Sequence, residues 1–325
     1  MLGAVQSQDY AGAKWAIGMR ARGVSDADIE RDFNDGAILR THVLRPTWHF
    51  VAQEDLLWMQ RLTGPRVEAR MAPYNRHLEL TPAIFAKSNT AIERALSGGR
   101  FLTRTQLKLA LDRARIRTEG TQRLAHIVMH AELEGLICSG PRVGKQFTYA
   151  LLAERAPNAR DWSGDEALAE LTRRYFAARA PATVQDFAWW SGLTIGQCRR
   201  GVEALGTALD VCTLDDVQYH VPAGFSLPRA VITATQLLPN YDEYFIGYRD
   251  RSAIGARLRS TALVTGGNAL IANVVAVGGQ LVGGWKRLQG KDDVHVSLNL
   301  ISPLTKAERG RVDAVVEQLR RFSKR

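Results

Sequence analysis

The chain has 325 residues, 46% of them hydrophobic, which is enough to bury a core in each of about two to four domains. A formal net charge of +10 favours a polyanionic partner such as nucleic acid, although composition alone gives equal weight to a basic protein without one. Three widely spaced cysteines exclude a disulfide framework and a cysteine zinc site, and the polar first residues do not fit a secretory signal. We therefore expect a cytoplasmic protein, nucleoid-associated if its partner is DNA.

The predicted elements follow the order of winged-helix units, in which two or three helices precede a short β-hairpin. Residues 1–81 form the first predicted unit. Helices are expected near 9–22, 25–33 and 35–42, followed by a strand at 47–51.

Residues 82–155 give the clearest winged-helix pattern. The predicted helices hold Ile84, Phe85 and Ile92, follow an N-cap at Thr103, and span about 120–134; the predicted strands cover 135–138 and 146–149. The turn at 140–145 between these strands is basic. Arg142 and Lys145 in that turn are therefore placed where a wing would meet DNA phosphates.

Residues 160–227 repeat the pattern. Helices are expected from about 165 to 180, after Thr183 and after Thr194, with strands at 209–212 and 218–221. The helix at 194–205 occupies the recognition position, and Gln197, Arg199 and Arg200 near its start can reach a groove of DNA. The wing turn at 213–216 is acidic, so it is a poor phosphate contact.

Residues 228–325 change to β structure. Strands are expected around 233–238, 269–277, 280–285 and 295–298, with a closing helix at 305–322, which makes a small sheet or barrel. The most apolar stretch, 269–285, is interrupted by polar residues and glycines, so no membrane span is expected. The fold class is α+β, with tandem winged-helix units before this C-terminal β domain.

Asn240 to Tyr244, together with Arg249, Asp250 and Arg251, forms a mixed aromatic and charged segment after a strand. Tyr244 or Tyr248 could stack on a base while the arginines hold phosphate. The alternative is a structural corner in which Asp242 and Glu243 pair with these arginines.

Two further patterns have structural interpretations. His126 and His130 have the spacing of metal ligands on a helix, but no zinc signature accompanies them, so one is expected to pack and the other to face solvent or DNA. Trp189 and Trp190 are interpreted as helix core. No Gly-rich phosphate loop, Ser-His-Asp set or nucleotide-cofactor motif is found, and we expect neither a metal ion nor a cofactor.

Several phrases resemble the bacterial winged-helix family that includes the alkylpurine DNA glycosylases AlkZ and YcaQ. They are GAVQSQDYAGAKWAIGMR, ILRTHVLRPTWHFV, HAELEGLICSGPRVGKQFTYALL, LLPNYDEYFIGYRDRS and GGQLVGGWKR. The resemblance implies that Gln6 and Gln8 are the paired polar positions of the catalytic motif, in the Gln-x-Gln form; a second branch has Asp in the second place. Ser7 stands where the family has an aliphatic residue, and the family carries about one more helix before this motif.

This resemblance implies a monomeric DNA glycosylase that acts on alkylated double-stranded DNA. An N7- or N3-alkylated purine is already positively charged and leaves readily, so stabilising an oxocarbenium-like sugar and placing a water against C1′ is sufficient. Glutamine carbonyl oxygens can orient that water. Thr47 and His49 share one side of a strand and could reach the same pocket, with Trp48 and Phe50 packed inside. The match at Arg-x-Thr-x-His implies that Arg45 anchors the DNA backbone.

Two other classes remain open on the residues alone. A non-catalytic winged-helix DNA-binding protein or transcriptional regulator would bind duplex DNA with steep salt dependence and leave adducts intact. A structural protein would use its winged helices for protein contacts, although the basic turn with Arg142 and Lys145 argues against this.

Overall fold

A computed structural model describes residues 2–120, 122–227, 233–258, 273–289 and 294–324. The chain forms two compact units, each assembled from separate stretches of sequence. Unit 1 comprises residues 1–4, 31–174 and 191–205, and unit 2 comprises residues 5–30, 175–190 and 206–325. The division of the sequence at residues 81, 155 and 227 stays a prediction.

Helices and strands alternate along the chain, which confirms the α+β class. The helices are α1 (Tyr10–Gly18), α2 (Asp26–Asp35), α3 (Leu56–His77), α4 (Pro82–Leu96), α5 (Arg104–Arg113), α6 (Arg123–Leu133), α7 (Leu152–Arg155), α8 (Gly164–Arg179), α9 (Val184–Ser191), α10 (Ile195–Leu205), α11 (Glu243–Ile246) and α12 (Lys306–Ser323). The strands are β1 (Ala4–Gln6), β2 (Ile38–Val43), β3 (Arg45–Ala52), β4 (Leu102–Thr103), β5 (Ile137–Ser139), β6 (Thr148–Leu151), β7 (Leu209–Leu214), β8 (Val217–Pro222), β9 (Thr235–Leu238), β10 (Val274–Val277), β11 (Gln280–Gln289) and β12 (Val294–Leu300).

The predicted winged-helix unit after residue 82 lies within unit 1. Helices α4, α5 and α6 enclose an apolar core with the antiparallel sheet β4-β6-β5. Thr103 caps α5 as expected, because its Oγ1 accepts the Gln106 N–H and the Gln106 Oε1 accepts the Thr103 N–H. Strands β5 and β6 each begin two residues later than predicted. For β5 the reason is Gly135, whose positive φ of 69° first ends α6.

The helix predicted at 35–42 is wrong. Gly36 adopts a φ of +93° and ends α2, and the chain then enters β2. Strand β2 pairs in antiparallel register with β3, so that Thr41 lies opposite His49. The pairing partner lies several residues further along the chain and overrides the helix-like local pattern.

The longest helix was missed. Helix α3 runs for 22 residues and contains Pro65 and Pro73, which normally argue against a helix interior. Leu56, Trp58 and Met59 near its start are fully buried. Packing of this face against the β2–β3 hairpin and α6 therefore outweighs the two missing N–H donors.

In unit 2, strands β9 to β12 form an antiparallel four-stranded sheet in the order β12-β11-β10-β9. The described strands leave this sheet open, so of the two predicted forms it is a sheet rather than a closed barrel. Residues 269–272 of the second predicted strand lie outside the described residues. The predicted closing helix is α12, capped by Thr305, and it packs on β9 and β12.

Trp190 is fully buried, as predicted, but Trp189 is wrongly predicted as core because 41% of it is exposed. Of the helices described, none is both long and apolar enough to cross a membrane.

A close backbone approach fixes the β2–β3 turn in unit 1. Leu44 occupies the left-handed region at φ 65°, and its N–H donates to Thr63 Oγ1 at 3.0 Å. Gly192, at φ +72°, lies so close that an added Cβ would be 2.1 Å from the Leu44 carbonyl oxygen. Only glycine fits there, and Arg45 follows this turn directly as the first residue of β3.

We expect Gly192→Ala to lower the free energy of unfolding by about 2–4 kcal/mol, because the methyl group must displace the Leu44 carbonyl while the backbone stays left-handed. Gly99 has the same φ of +72° with nothing within 4 Å of the added Cβ, so Gly99→Ala is the matched control and costs about 1 kcal/mol. Urea denaturation of both variants measures the difference. Equal losses would contradict a steric role for Gly192.

Candidate active site and nucleic-acid contacts

Gln6 is the last residue of β1, and Gln8 lies between β1 and α1. Gln6 is 6% exposed and Ser7 is fully buried, whereas Gln8 sits in a bend and is exposed. Asp9 then caps α1, since its Oδ1 accepts the Gly12 N–H at 3.1 Å. The two carboxamides therefore have different environments, and that of Gln8 is the one open to solvent.

The backbone of the motif is held by a buried carboxylate. The Gln6 N–H donates to Glu243 Oε1 at 3.0 Å. The other oxygen, Glu243 Oε2, accepts from Arg179 Nη2 at 2.5 Å and from Trp190 Nε1 at 2.8 Å. Glu243 is 2% exposed and Arg179 is 3% exposed, and the Arg179 guanidinium lies 4.3 Å from the centre of the Trp190 ring. Both oxygens of this carboxylate are thus occupied by N–H donors.

Asp242 forms a second ion pair in the same segment. Arg20 donates to both of its oxygens, at 2.9 and 2.7 Å, and Asp242 Oδ1 also accepts the Tyr244 N–H to cap α11. Burial alone would lower the pKa of Arg20, but attraction to Asp242 and hydrogen bonds with it leave that pKa raised. The predicted pairing with Arg249 and Arg251 is wrong, since Asp242 and Glu243 bind Arg20 and Arg179, which are distant in sequence.

The tyrosine hydroxyls of this segment donate hydrogen bonds within unit 2. Tyr244 Oη donates to the Gly279 carbonyl, and Tyr248 Oη donates to the Arg179 carbonyl, both at 2.8 Å. Arg251 Nε donates to the Phe245 carbonyl at 2.7 Å, whereas the Arg249 side chain is exposed. Tyr244, Tyr248, Arg249 and Arg251 all line one cavity of unit 2.

Thr47 and His49 lie on β3 in unit 1. His49 is fully buried, and its Nδ1 lies 3.0 Å from the Thr47 carbonyl oxygen. A carbonyl only accepts, so Nδ1 carries the proton, and Nε2 is then the acceptor nitrogen of the neutral ring. Thr47 Oγ1 is a buried oxygen with no hydrogen-bond partner among the described residues.

The aromatic residues of β3 differ from the prediction in one case. Phe50 is buried, but Trp48 is half-buried rather than packed inside. The Arg40 guanidinium lies 4.3 Å from the Trp48 ring and 4.4 Å from the Phe147 ring. Trp48 thus packs on a cation because Arg40, directly across the strand pair from Phe50, projects between the two rings.

The wing turn of unit 1 carries the predicted phosphate contacts. The Arg142 N–H donates to Asn34 Oδ1 at 2.8 Å, and the Arg142 guanidinium lies 5.4 Å from the Phe147 ring. Arg142 is half-buried, whereas Lys145 at the tip is exposed. Lys145 is therefore the more accessible of the two cations.

Two polar residues of the predicted recognition helix α10 make contacts with other protein residues. Gln197 Oε1 accepts from the Thr194 N–H and the Thr194 hydroxyl, both at 3.0 Å, and so closes the N-terminus of the helix. Arg200 forms an exposed ion pair with Asp165. Arg199 is exposed, and Arg45 is half-buried at the first position of β3.

The two helical histidines each contact a polar partner. His126 Nδ1 lies 2.7 Å from Asn75 Oδ1, and burial lowers the pKa of His126. His130 Nδ1 lies 2.9 Å from Glu68 Oε1, and its ring stacks on Phe85. No group of three or more potential metal ligands occurs in the part of the chain that the structure describes.

A family model described as DNA glycosylase AlkZ-like matches residues 1–322. The chain belongs to the AlkZ-like DNA glycosylase family. It is 23% identical over 301 residues to an interstrand DNA cross-link repair glycosylase of Streptomyces sahachiroi, covering 87% of this chain and 79% of that protein. The solved structure of the Streptomyces sahachiroi DNA glycosylase AlkZ has the same fold, with a TM-score of 0.79, 20% identity, and coverage of 99% of this chain and 90% of that one. Family membership makes the protein a hydrolase of the DNA glycosylase type, with DNA as its partner.

The structure brings Gln6 together with Glu243, Arg179 and Trp190 in unit 2, and Thr47 together with His49 in unit 1. Sequence reasoning missed Arg20 and Arg179. The contacts that give them a role are with residues 222 and 64 positions away, so no local pattern identifies them. The one available signal was the adjacent acidic pair Asp242-Glu243, whose burial requires cationic partners.

A pH dependence follows from the tyrosine beside Arg179. Burial raises the pKa of Tyr248 to about 12, from an ordinary value of 10. Because the folded pKa is raised, the contribution of the protonated phenol to stability is complete below pH 10 and is lost as the pH rises from 10 to about 12. We expect wild type to lose stability over this range more steeply than Tyr248→Phe, measured by urea denaturation at pH 9 to 12. Parallel curves of stability against pH for the two proteins would contradict this expectation.

Proposed function

We propose that the protein hydrolyses the N-glycosidic bond of N-alkylated purines in duplex DNA and leaves an abasic site. The observation that carries this proposal is the placement of the Gln-x-Gln motif. Its backbone is fixed by the buried Glu243–Arg179 pair at Gln6, and two residues later Gln8 presents an exposed carboxamide. A fixed backbone with one accessible polar side chain is suited to orienting a water.

The chemistry asks little of these side chains. The alkylated base is cationic and departs without a strong general acid, so the protein must stabilise the sugar cation and place a water near C1′. The Gln8 carbonyl oxygen accepts a hydrogen bond from that water and orients it, although it is not basic enough to remove a proton. Glu243 does not serve as the base, because Gln6, Arg179 and Trp190 already donate to its oxygens.

The family resemblance also points to Thr47 and His49, which lie on β3 of unit 1. His49 Nδ1 donates to the Thr47 carbonyl, so the ring orientation is fixed and Nε2 is the nitrogen that can take or share a proton. We assign Thr47 and His49 to the catalytic set with Gln6 and Gln8.

The DNA contacts are proposed to come from the predicted cations and from the winged-helix segments that carry them. Lys145, Arg199 and Arg249 are exposed, Arg200 forms an exposed ion pair, and Arg45, Arg142 and Arg251 are half-buried; Gln197 and Tyr244 complete the set.

The protein is proposed to act as a monomer on nucleoid DNA. The name of the curated relative, a cross-link repair glycosylase, supports a bulky or cross-linked adduct as the substrate.

Gln8→Ala is expected to lower the release of 7-methylguanine from methylated duplex DNA about 100-fold or more, because a single positioned polar group is worth that much in a preorganised site. DNA affinity and the thermal midpoint should stay unchanged, since Gln8 is exposed. Base release is measured by chromatography, and affinity by fluorescence anisotropy on the same DNA.

Gln318→Ala, on the exposed face of α12, is the matched control and should act as wild type. Gln8→Asp, which creates the form of the other branch of the family, should retain more activity than Gln8→Ala. Release by Gln8→Ala at the wild-type rate would refute the assignment. Binding without release by wild type, on methylated and on cross-linked DNA alike, would favour a non-catalytic DNA-binding protein.

Two amide substitutions test the histidine. Asn at position 49 can still donate to the Thr47 carbonyl but lacks the Nε2 position, whereas Gln places its amide nearer to Nε2. We expect His49→Asn to fold and bind DNA with about 100-fold slower base release, and His49→Gln to lose less of the rate but more stability. Equal base release by His49→Asn and wild type would make the histidine purely structural.

A further inference from the structure

A cavity of about 770 Å³ lies in unit 2 and is separate from the contacts of Gln6. Two neighbouring residues at the start of α11 separate the two places. Glu243 binds the Gln6 backbone, and Tyr244 lines the cavity. The remaining walls include Tyr219 from β8, Tyr248, and the segment that follows it. The volume is within the range of pockets that take small molecules and cofactors.

Three tyrosines give this cavity aromatic walls. The hydroxyls of Tyr244 and Tyr248 are bonded to backbone carbonyls, which restrains both rings in place. Tyr219 is half-buried, and within the described residues its hydroxyl has no hydrogen-bond partner. Restrained aromatic rings lose little entropy when a planar ligand stacks on them, so they suit a nucleobase.

Two arginines in the walls form no ion pair with the neighbouring acids, although Asp186 and Asp250 attract Arg251 electrostatically. Asp186 accepts from the Thr183 N–H, the Thr183 hydroxyl and the Arg249 N–H, at 3.0, 2.7 and 2.8 Å. Asp250 accepts the Ser252 N–H at 2.9 Å. The carboxylates thus bind backbone and hydroxyl donors.

The Arg249 guanidinium remains available for an anion, whereas Arg251 is partly engaged. Arg249 is exposed and makes no ion pair with any described residue. Arg251 Nε donates to the Phe245 carbonyl, and its guanidinium lies 5.0 Å from the Phe245 ring and 5.5 Å from the Trp189 ring. Its Nη2 is buried and lacks a hydrogen-bond partner among the described residues. An unsatisfied buried donor of a charged group is costly, and a turn of the Arg251 side chain toward a bound anion would remove that cost.

We propose that this cavity binds a nucleoside monophosphate unit, with the base against the tyrosines and the phosphate at Arg249 and Arg251. The unit comes either from a DNA strand or from a free mononucleotide, since the recognition chemistry is the same. The proposal rests on the proposed function only in that DNA is one of the two sources.

The test is titration of the full-length protein with 2′-deoxyguanosine 5′-monophosphate by isothermal calorimetry. Arg249→Gln and Tyr219→Ala should each weaken binding about ten-fold, because each removes a phosphate contact or a stacking ring. Arg309→Gln, which replaces an exposed arginine of α12 outside the cavity, is the matched control and should leave binding unchanged. Deoxyguanosine without phosphate should bind wild type more weakly and be indifferent to Arg249→Gln.

Duplex DNA binding by the same variants separates the two sources. If both cavity variants also lose DNA affinity and the mononucleotide competes with DNA, the unit is part of the DNA strand; if DNA affinity is unchanged, the ligand is a free nucleotide. Absence of binding up to 10 mM, or binding that neither variant weakens, would overturn the proposal. Gln8→Ala should bind the mononucleotide normally, so failure of the glycosylase assignment and failure of this one give different results.

Discussion

The buried ion pair between Glu243 and Arg179 is the constraint on which the candidate site depends. A charge taken out of water is costly, and removal of one partner from such a pair typically destabilises a protein by about 3–5 kcal/mol. Here the carboxylate also accepts from the Gln6 backbone and the Trp190 indole, so its charge is compensated by three donors. The N-terminal segment, the end of α8, α9 and α11 are thereby fixed by one side chain. Glu243 is a positioning residue, and the proposed chemistry belongs to other side chains.

Unit 1 uses a comparable arrangement without charges. The turn at Leu44 is held by the Thr63 hydroxyl on one side and by the backbone of Gly192 on the other. Strand β3 starts at this turn, and its register with β2 sets the place of His49. In both units, the proposed catalytic side chains follow a backbone segment that other elements fix. Their geometry is thereby set by residues that take no part in the proposed chemistry.

Local signals explain what the sequence could predict. Thr103 is the predicted cap of α5, and Thr305, where the closing helix was predicted to begin, caps α12; each acts through a residue only three positions away. Strand β2 and helix α3 were mispredicted or missed, because the first depends on pairing with β3 and the second on packing that overcomes two prolines. The same limit applies to the site. The Gln-x-Gln motif is recognised through its resemblance to the family, whereas the hydrogen bond from Gln6 to Glu243 spans 237 residues and has no local pattern.

The net charge of +10 overstates the surface available to DNA phosphates. Arg20, Arg174 and Arg179 are committed to the buried carboxylates of Asp242, Asp55 and Glu243, and Arg40 lies between two aromatic rings. These guanidinium groups stabilise the fold, and a duplex could reach them only by breaking contacts that cost more than a phosphate contact returns. Exposed cations such as Lys145, Arg199 and Arg249 are the ones that can release counterions, so the salt dependence of DNA binding should report on them and not on the arginine count.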